Sequence, residues 1–447
     1  MKKKKNIIWF FVDQLRREAI SINGDENVST PNIDNLAKQG VNFTNAVGGY
    51  PLCCPCRSAI LSGQYPQKTN VTGHERQLDR RLPLISDAFN SQGYDTIYLG
   101  KWHLEGIKEN QHKAIIPREG RGHFKTFIGY ENNNSPFDVY VHGHRGKKEI
   151  PSIKLPEYEP ISLVNLAIQE VKTYSKRKQD GNETPFFMVI SMQPPHDPYV
   201  APAQNVAHYP PSKIQFKQNV PPYVSLRKSV ANDLSGYYGA IESIDEQLGR
   251  LVEELKSEDM LEDTHILFFS DHGDMHGSHG QFRKTNPYEE SIGVPFIIGG
   301  AKPLSYEGYK SGSSDVLVNH VDIAKTSLGL CQLPIPDEMV GTDFSSLRLE
   351  QRPISEPKDS VFLQSIIPTM HGSSVDKPWR GIVTDDGWKY ICFESQEWLL
   401  FNLVNDPLEL TNLVHDSDYR DIRVKLNQRL VQWIQETDDC FFVPKVV

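Results

Sequence analysis

Ile7-Ile8-Trp9-Phe10-Phe11-Val12-Asp13 is the stretch of sequence that decides the fold. Six consecutive apolar residues without polar alternation are typical of a strand buried on both faces, as in a parallel sheet. The run ends at Asp13, which places a carboxylate where such a strand turns into a loop. It is also too short, and too close to that acid, to be a membrane span or the apolar region of a signal sequence.

Further apolar runs recur along the chain, and three of them lead into polar side chains. One precedes Lys101 and His103, the next precedes His196, and a third precedes Asp271 and His272. Helical patterns separate the runs, which predicts an α/β fold with a large, mostly parallel sheet flanked by helices. Ligands of such sheets bind beyond the carboxyl ends of the strands. The predicted strands are 7–12, 94–99, 185–191, 265–270 and 294–298, and the predicted helices are 57–61, 84–92, 161–176, 237–255 and 321–330.

The last quarter of the chain has a different pattern. We predict a catalytic α/β domain over residues 1–350 and a smaller C-terminal α+β subdomain over 351–447. Four short stretches in the subdomain read as antiparallel strands, and a final helix over about 420–437 would cover them. Residues 105–160 are polar and rich in Gly, Asn, His and Lys, so we interpret them as loops. The short C-terminal strands are predicted at 361–363, 381–384, 388–393 and 398–402.

Composition excludes some functions and leaves the compartment open. The 447 residues carry a formal net charge of −9, so we expect neither a nucleic-acid partner nor a membrane partner, and an anionic substrate needs a local basic pocket. No signal peptide is visible, which predicts a cytoplasmic protein if the chain is full-length and a periplasmic or secreted one if a signal was removed. The six cysteines do not form the pattern of a disulfide framework.

Polar residues at the predicted strand ends suit a divalent cation and an anionic ester. Asp13, Asp271 and His272, with Gln14 as an oxygen donor, make a plausible cation site. Oxygen-rich ligation favours Ca²⁺, while the histidine leaves Mn²⁺ open. A cation surrounded by basic groups is what hydrolysis of a sulfate or phosphate ester requires, with one histidine as acid and another as base. The basic candidates are Arg57, Lys101, His103, His196 and Lys284.

Three cysteines within four positions allow a second interpretation. Cys53, Cys54 and Cys56 could be thiolate ligands of a zinc or iron–sulfur centre in a non-catalytic protein. The chain has no second cysteine pair, and the nearest other cysteine is Cys331. That interpretation predicts that Cys54 and Cys56 matter as much as Cys53.

Read in one register, Cys53-x-Pro55-x-Arg57 followed by Leu61-Ser62-Gly63 resembles the signature of the type I sulfatases, which belong to the alkaline phosphatase superfamily. The resemblance continues over essentially the whole chain, and three departures accompany it. Gln14 stands where the family often has an acid, His272 stands where it often has Asn, and Cys54 and Cys56 replace small residues. The other similar segments are Asn6–Asp13, Gly100-Lys101-Trp102-His103, Pro195-His196-Asp197-Pro198, Ser270-Asp271-His272-Gly273 and Lys284.

The resemblance implies a mechanism with assigned residues. A maturation enzyme would oxidise Cys53 to Cα-formylglycine, whose hydrate attacks sulfur and expels the alcohol; an unmodified chain would be nearly inactive. His196, with Lys284, would protonate the leaving oxygen, and His103 would take a proton from the second hydroxyl to release sulfate. Arg57 and Lys101 would orient the nucleophile. The implied cation ligands are Asp13, Gln14, the modified Cys53, Asp271 and His272.

We expect the substrate to be a sulfated saccharide, because the polar segment 105–160 could bind one through charge and hydrogen bonds. A phosphonate monoester or phosphodiester hydrolase of the same superfamily is the alternative, since some of these enzymes also use formylglycine and an Asp-Gln pair. The candidate saccharide contacts are Arg118, Arg121, His123, His142 and His144.

Overall fold

The computed structural model describes residues 4–108, 111–301, 308–353, 355–356, 358–368 and 375–446. Ten strands of this part form the main sheet, in the order β10-β2-β9-β8-β1-β7-β3-β4-β5-β6. The five central strands, from β8 to β4, are mutually parallel. The predicted fold class is therefore confirmed. The strands are β1 Asn6–Asp13, β2 Val41–Val47, β3 Asp95–Lys101, β4 Thr126–Tyr130, β5 Tyr140–Arg145, β6 Lys148–Lys154, β7 Phe186–Pro195, β8 Thr264–Ser270, β9 Phe296–Gly300 and β10 Gly312–Asn319.

Strand β1 lies at the centre of the sheet, between β7 and β8. Its alternate side chains enter two different cores: Ile8, Phe10 and Val12 pack on one face, and Ile7 and Trp9 pack on the other. A strand buried on both faces needs apolar residues at every position, which is why this sequence does not alternate.

Helices cover both faces of the sheet. Those that contribute to the Ile8 core are α1, α5 and α7, and those that contribute to the Trp9 core are α2, α4 and α9. None of the helices in the described part of the chain is long and apolar enough to cross a membrane. The helices are α1 Pro31–Gln39, α2 Cys53–Ser62, α3 Pro66–Thr69, α4 Ile85–Ser91, α5 Glu159–Gln179, α6 Ala203–Val206, α7 Val224–Ser257, α8 Glu289–Ile292, α9 His320–Leu330 and α10 Arg420–Glu436.

A separate four-stranded antiparallel sheet follows in the C-terminal part, in the order β11-β12-β13-β14. Helix α10 packs Leu430 and Trp433 against Phe362 and Tyr390 of this sheet, as the sequence predicts. The boundary at residue 350 stays a prediction. The strands are β11 Ser360–Ser365, β12 Trp379–Thr384, β13 Trp388–Phe393 and β14 Gln396–Asn402.

Two predictions of local structure are wrong. The segment 105–160 is not all loop, because it contains β4, β5 and β6, which extend the main sheet beyond β3. Strand β6 forms one edge of the sheet and is largely exposed; an exposed edge strand does not need the apolar residues by which buried strands are found. Helix α2 begins at Cys53 rather than at Arg57, so the cysteines lie on a helix and not on a loop.

Candidate active site

The site lies where the carboxyl ends of the central parallel strands meet the first turn of helix α2. Asp13 ends β1 and Lys101 ends β3, while His196 directly follows β7 and Asp271 directly follows β8. Cys53 is the first residue of α2, whose ten residues are all buried. The amino end of a helix carries a partial positive charge, which favours an anion or a developing negative charge at this point.

The thiol of Cys53 is fully buried and has charged neighbours on several sides. Its Sγ lies 3.1 Å from Nε2 of His272, 3.5 Å from Nζ of Lys284 and 3.6 Å from Oδ1 of Asp13. Burial opposes ionisation, but Lys284, Lys101 and His272 hold the pKa of the thiol well below its usual range. The pocket thus stabilises negative charge on the first atom beyond Cβ of residue 53.

Two buried cations hold the Asp13 carboxylate. Nη2 of Arg57 donates to Oδ2 at 2.9 Å, and Nζ of Lys101 lies 2.8 Å from the same oxygen. Burial and Cys53 oppose its ionisation, yet the charges of Lys101, His196 and Arg57 lower the pKa of Asp13 below its usual range. Arg57 is in turn fixed by Nη1, which donates to the Lys101 carbonyl and to Oγ of Ser191.

Asp13, Cys53, Asp271 and His272 form a group that could hold a cation. One ligand atom from each lies within 4.8 Å of the others, and all four residues are buried. Nδ1 of His272 lies 3.0 Å from the Gly273 carbonyl, so the ring turns Nε2 toward Cys53 and Asp13, where it could coordinate a cation. Burial and the neighbouring Asp13 raise the pKa of Asp271 to about 6. Two carboxylates this close repel each other, and a divalent cation between them would remove that cost.

Gln14 borders this group and has well-defined partners. Its Oε1 accepts from Nζ of Lys284 at 2.6 Å, and its Nε2 donates to Asp274 and, at 3.3 Å, to Asp197. Its backbone φ of 66° lies in the left-handed region, which a residue without glycine's freedom adopts only when its surroundings hold it there. The side-chain oxygen therefore faces the site, but Lys284 already uses it, so cation ligation by Gln14 stays a prediction.

Two histidines border the site, of which His196 is slightly exposed and His103 is buried. Nε2 of His196 accepts from Nζ of Lys284 at 2.6 Å, and the His196 side chain is 11% exposed. His103 hydrogen-bonds the Cys53 thiol, and burial together with Lys101 lowers its pKa to about 4. At neutral pH His103 is accordingly uncharged and can accept a proton, whereas His196 has a donor beside it.

The structure thus brings together all ten residues that the sequence nominates for catalysis and cation binding. It does not bring the predicted saccharide contacts to them. Arg118, Arg121, His123 and His144 line a cavity together with Asp95. Asp95 begins β3 and Lys101 ends it, so this cavity lies at the opposite end of the strand from the site. His142 is buried and accepts from the Ile116 amide. The polar residues of this segment serve strand packing and a remote cavity.

Three residues of the site escaped the sequence analysis as functional groups. Ser191 accepts from Arg57, and Asp197 and Asp274 both accept from Gln14. The available signal was position: Ser191 lies near the carboxyl end of β7, Asp197 follows His196, and Asp274 comes three residues after Asp271. Each supports a residue that the sequence did nominate.

Family comparisons agree with this geometry. A family model described as Sulfatase matches residues 5–333. A second model, described as N-sulphoglucosamine sulphohydrolase, C-terminal, matches residues 277–436. The first match alone contains every nominated site residue.

Individual relatives match over nearly the full chain. The Ulvan-active sulfatase of Formosa agariphila is 31% identical over 443 residues, covering 98% of this chain and 82% of the relative. The Endo-4-O-sulfatase of Bacteroides thetaiotaomicron is 27% identical over 506 residues, covering 99% and 94%. The crystal structure of yidJ from Bacteroides fragilis, a proposed sulfatase, superposes with a TM-score of 0.86 at 25% identity, covering 100% of this chain and 99% of the other. The chain therefore belongs to the sulfatase family of the alkaline phosphatase superfamily and is a sulfuric ester hydrolase.

Proposed function

We propose that this sulfatase removes sulfate from a sulfated carbohydrate, with Cys53 converted to formylglycine as its nucleophile and Ca²⁺ as its cation. The observation that carries the proposal is the surroundings of Cys53. The Cys53 thiol is fully buried among two carboxylates, His272 and three cationic side chains. If this position only filled space, a smaller apolar residue would serve it better. The same surroundings suit a hydroxyl nucleophile beside a cation.

The cation and the modified side chain would supply two things. A divalent cation would polarise the ester oxygens, and the hydrated aldehyde would offer two hydroxyls where an unmodified side chain offers at most one nucleophilic atom. Asp13, Asp271 and His272 would hold the cation, with Gln14 at its edge. The ligand set is oxygen-rich apart from His272, which favours Ca²⁺ over softer ions.

Proton transfers fall to the two histidines. His196 would deliver to the leaving alcohol oxygen a proton that it takes from Lys284, whose Nζ lies 2.6 Å from its Nε2. His103 would accept a proton from a hydroxyl at position 53, since its lowered pKa keeps it neutral. Arg57 and Lys101 would keep the site positive while sulfate is present.

Two names among the matches support a carbohydrate substrate. One relative is named for activity on ulvan, and the C-terminal family model is named for N-sulphoglucosamine. The site also suits a sugar sulfate, whose alcohol is a poor leaving group and needs protonation.

The experiment that tests the proposal measures sulfate release by protein co-expressed with a formylglycine-generating enzyme. Substrates are ulvan oligosaccharides, sulfated glucosamines, an aryl sulfate and a phosphonate monoester. We expect the saccharides to be turned over, Cys53→Ala to lower the rate about 10⁴-fold or more, and Cys56→Ser to stay active. Removal of Ca²⁺ with a chelator abolishes activity, and Ca²⁺ restores it better than Mn²⁺.

Three results would contradict parts of the proposal. Turnover of the phosphonate alone would mean that the enzyme is a phosphonate hydrolase and not a sulfatase. Turnover of the aryl sulfate with none of the saccharides would remove the carbohydrate substrate. Equal losses in Cys53→Ala and Cys56→Ser would favour a thiol cluster.

A further inference from the structure

A second group of metal-binding side chains lies beside the active site. Sγ of Cys54 and one ring nitrogen each of His74 and His103 lie within 4.8 Å of one another. Cys54 and His103 are buried, whereas His74 is partly exposed and gives the group a path from solvent. Cys54 stands where the signature usually has a small residue. The group therefore depends on a cysteine that is a departure of this chain from the usual signature.

The donor set is softer than that of the Asp13 group. One sulfur and two imidazole nitrogens, with a fourth position open, are typical of Zn²⁺ rather than Ca²⁺. Tetrahedral zinc with bonds of about 2.0–2.3 Å places its ligand atoms about 3.5 Å apart. The three atoms therefore need to approach one another by at most about 1.3 Å.

One ring nitrogen of the group and one carboxylate oxygen near it are buried without a hydrogen-bond partner among the described residues. Nδ1 of His103 is buried and has no hydrogen-bond partner within the described part of the chain, and the same holds for Oε2 of Glu131. Glu131 lies close enough to oppose ionisation of the Cys54 thiol, and burial raises the pKa of Glu131 itself to about 7. Unpaired buried polar atoms are costly, and a cation bound at this group would give Nδ1 of His103 a partner.

We propose that Cys54, His74 and His103 bind Zn²⁺, and that zinc bound there inhibits the enzyme. Binding releases the thiol proton of Cys54 to solvent and forms one Zn–S and two Zn–N bonds. A neutral imidazole that coordinates zinc through one nitrogen carries its proton on the other, so His103 can no longer accept a proton from position 53. The inhibitory part rests on the proposed role of His103, and the binding part does not.

The test uses Ca²⁺-loaded, fully converted enzyme in which the exposed Cys440 is replaced by serine. In this protein residue 53 is no longer a thiol, so Co²⁺ added as a probe for zinc reports on the remaining cysteines. We expect a near-ultraviolet thiolate-to-cobalt absorption that disappears in Cys54→Ser, weakens in His74→Gln and persists in the matched control Cys56→Ser. Zn²⁺ displaces the cobalt signal.

Inhibition is measured on the same proteins. Loss of a second-shell partner typically lowers metal affinity 10- to 100-fold, and loss of a ligand costs no less. The zinc concentration for half-inhibition should therefore rise at least about tenfold in Cys54→Ser and in His74→Gln, with little change in Cys56→Ser.

The outcomes separate the two proposals. Absence of the cobalt absorption, or its persistence in Cys54→Ser, would overturn the zinc site. A normal cobalt response with equal zinc inhibition of all variants would overturn the inhibitory role alone. If no sulfate ester is turned over at all, the proposed function fails, and the absorption measurement still decides whether the site binds metal.

Discussion

His196 is the residue whose role the geometry makes easiest to isolate. It stands on the exposed side of the site with Lys284 as a donor at 2.6 Å, whereas the groups around Cys53 are fully buried. A leaving-group acid is needed only where the departing oxygen is basic. Its removal should therefore affect substrates unequally.

We predict that His196→Gln lowers kcat/KM for a sugar sulfate about 10²- to 10⁴-fold and has a much smaller effect on nitrophenyl sulfate, whose leaving group needs no proton. His208→Gln is the matched control, because His208 is exposed and pairs with Glu242. Steady-state kinetics on both substrates check the prediction. Equal losses on the two substrates would show that His196 positions the ester and does not protonate it.

At the scale of single residues, the sequence predicted which side chains meet but not how they are paired. Asp13, Lys101 and Asp271 follow apolar runs, and the ends of parallel strands share one edge, so their convergence could be foreseen. The partners of Gln14 could not. They come from three separate segments, and their directions depend on backbone torsions such as its φ of 66° that no pattern of apolar residues encodes.

At the scale of elements, the end of strand β3 places the most demanding constraint on the backbone. Gly100 has a φ of +104°, and a Cβ built on it would lie 2.0 Å from the Ser191 carbonyl oxygen of β7. The next residue is Lys101, and Oγ of Ser191 contacts Arg57. The close approach of β3 and β7 therefore sets the positions of two cations of the site.

We predict that Gly100→Ala destabilises the protein by about 3 kcal/mol or more and lowers activity in the protein that still folds. Both the positive φ and the backbone contact oppose a side chain here. Gly146→Ala is the control, because Gly146 has a φ of +55° and no atom within 4 Å of an added Cβ. The midpoint of thermal unfolding should fall far more for Gly100→Ala than for Gly146→Ala. Similar falls would mean that β7 can move away from β3 at little cost in free energy.

The strands of the main sheet that carry a long run of apolar residues were the easiest to predict, and the exposed edge strand was the hardest. Strands β1, β3, β7 and β8 are buried along most or all of their length and were found from the sequence. Strand β6 is mostly exposed, and its sequence KEIPSIK lacks an apolar run. Backbone pairing with β5 holds it in place, and the pairing leaves little trace in composition.

At the scale of the whole molecule, the C-terminal sheet supports the segment that carries Lys284. The buried ammonium of Lys389, on β13, lies 2.6 Å from Glu289 of α8 and 2.7 Å from Glu409. Nε1 of Trp379, on β12, donates to the carbonyl of Thr285. The residues just after Lys284 are thus held by contacts that cross from one sheet to the other.

We predict that Lys389→Met destabilises the protein by about 3–5 kcal/mol, because it leaves Glu409 buried without a cation and removes one of the two cations beside Glu289, which keeps only Arg17. Adding Glu409→Gln to this variant should recover part of the loss. The same substitution at Lys256, an exposed residue 3.8 Å from Glu253, should change little. Urea unfolding of the four proteins checks this, and a Lys389→Met protein as stable as the Lys256→Met control would show that the bridge contributes nothing.

The chemical state of residue 53 decides whether the site can act by the proposed mechanism. The most direct measurement is the mass of the peptide that carries Cys53, on enzyme samples with different degrees of maturation, together with sulfate release by each sample. We predict that the thiol is replaced by an aldehyde or its hydrate, and that activity rises in proportion to the converted fraction. Full activity in a sample whose Cys53 is an unmodified thiol would contradict the account.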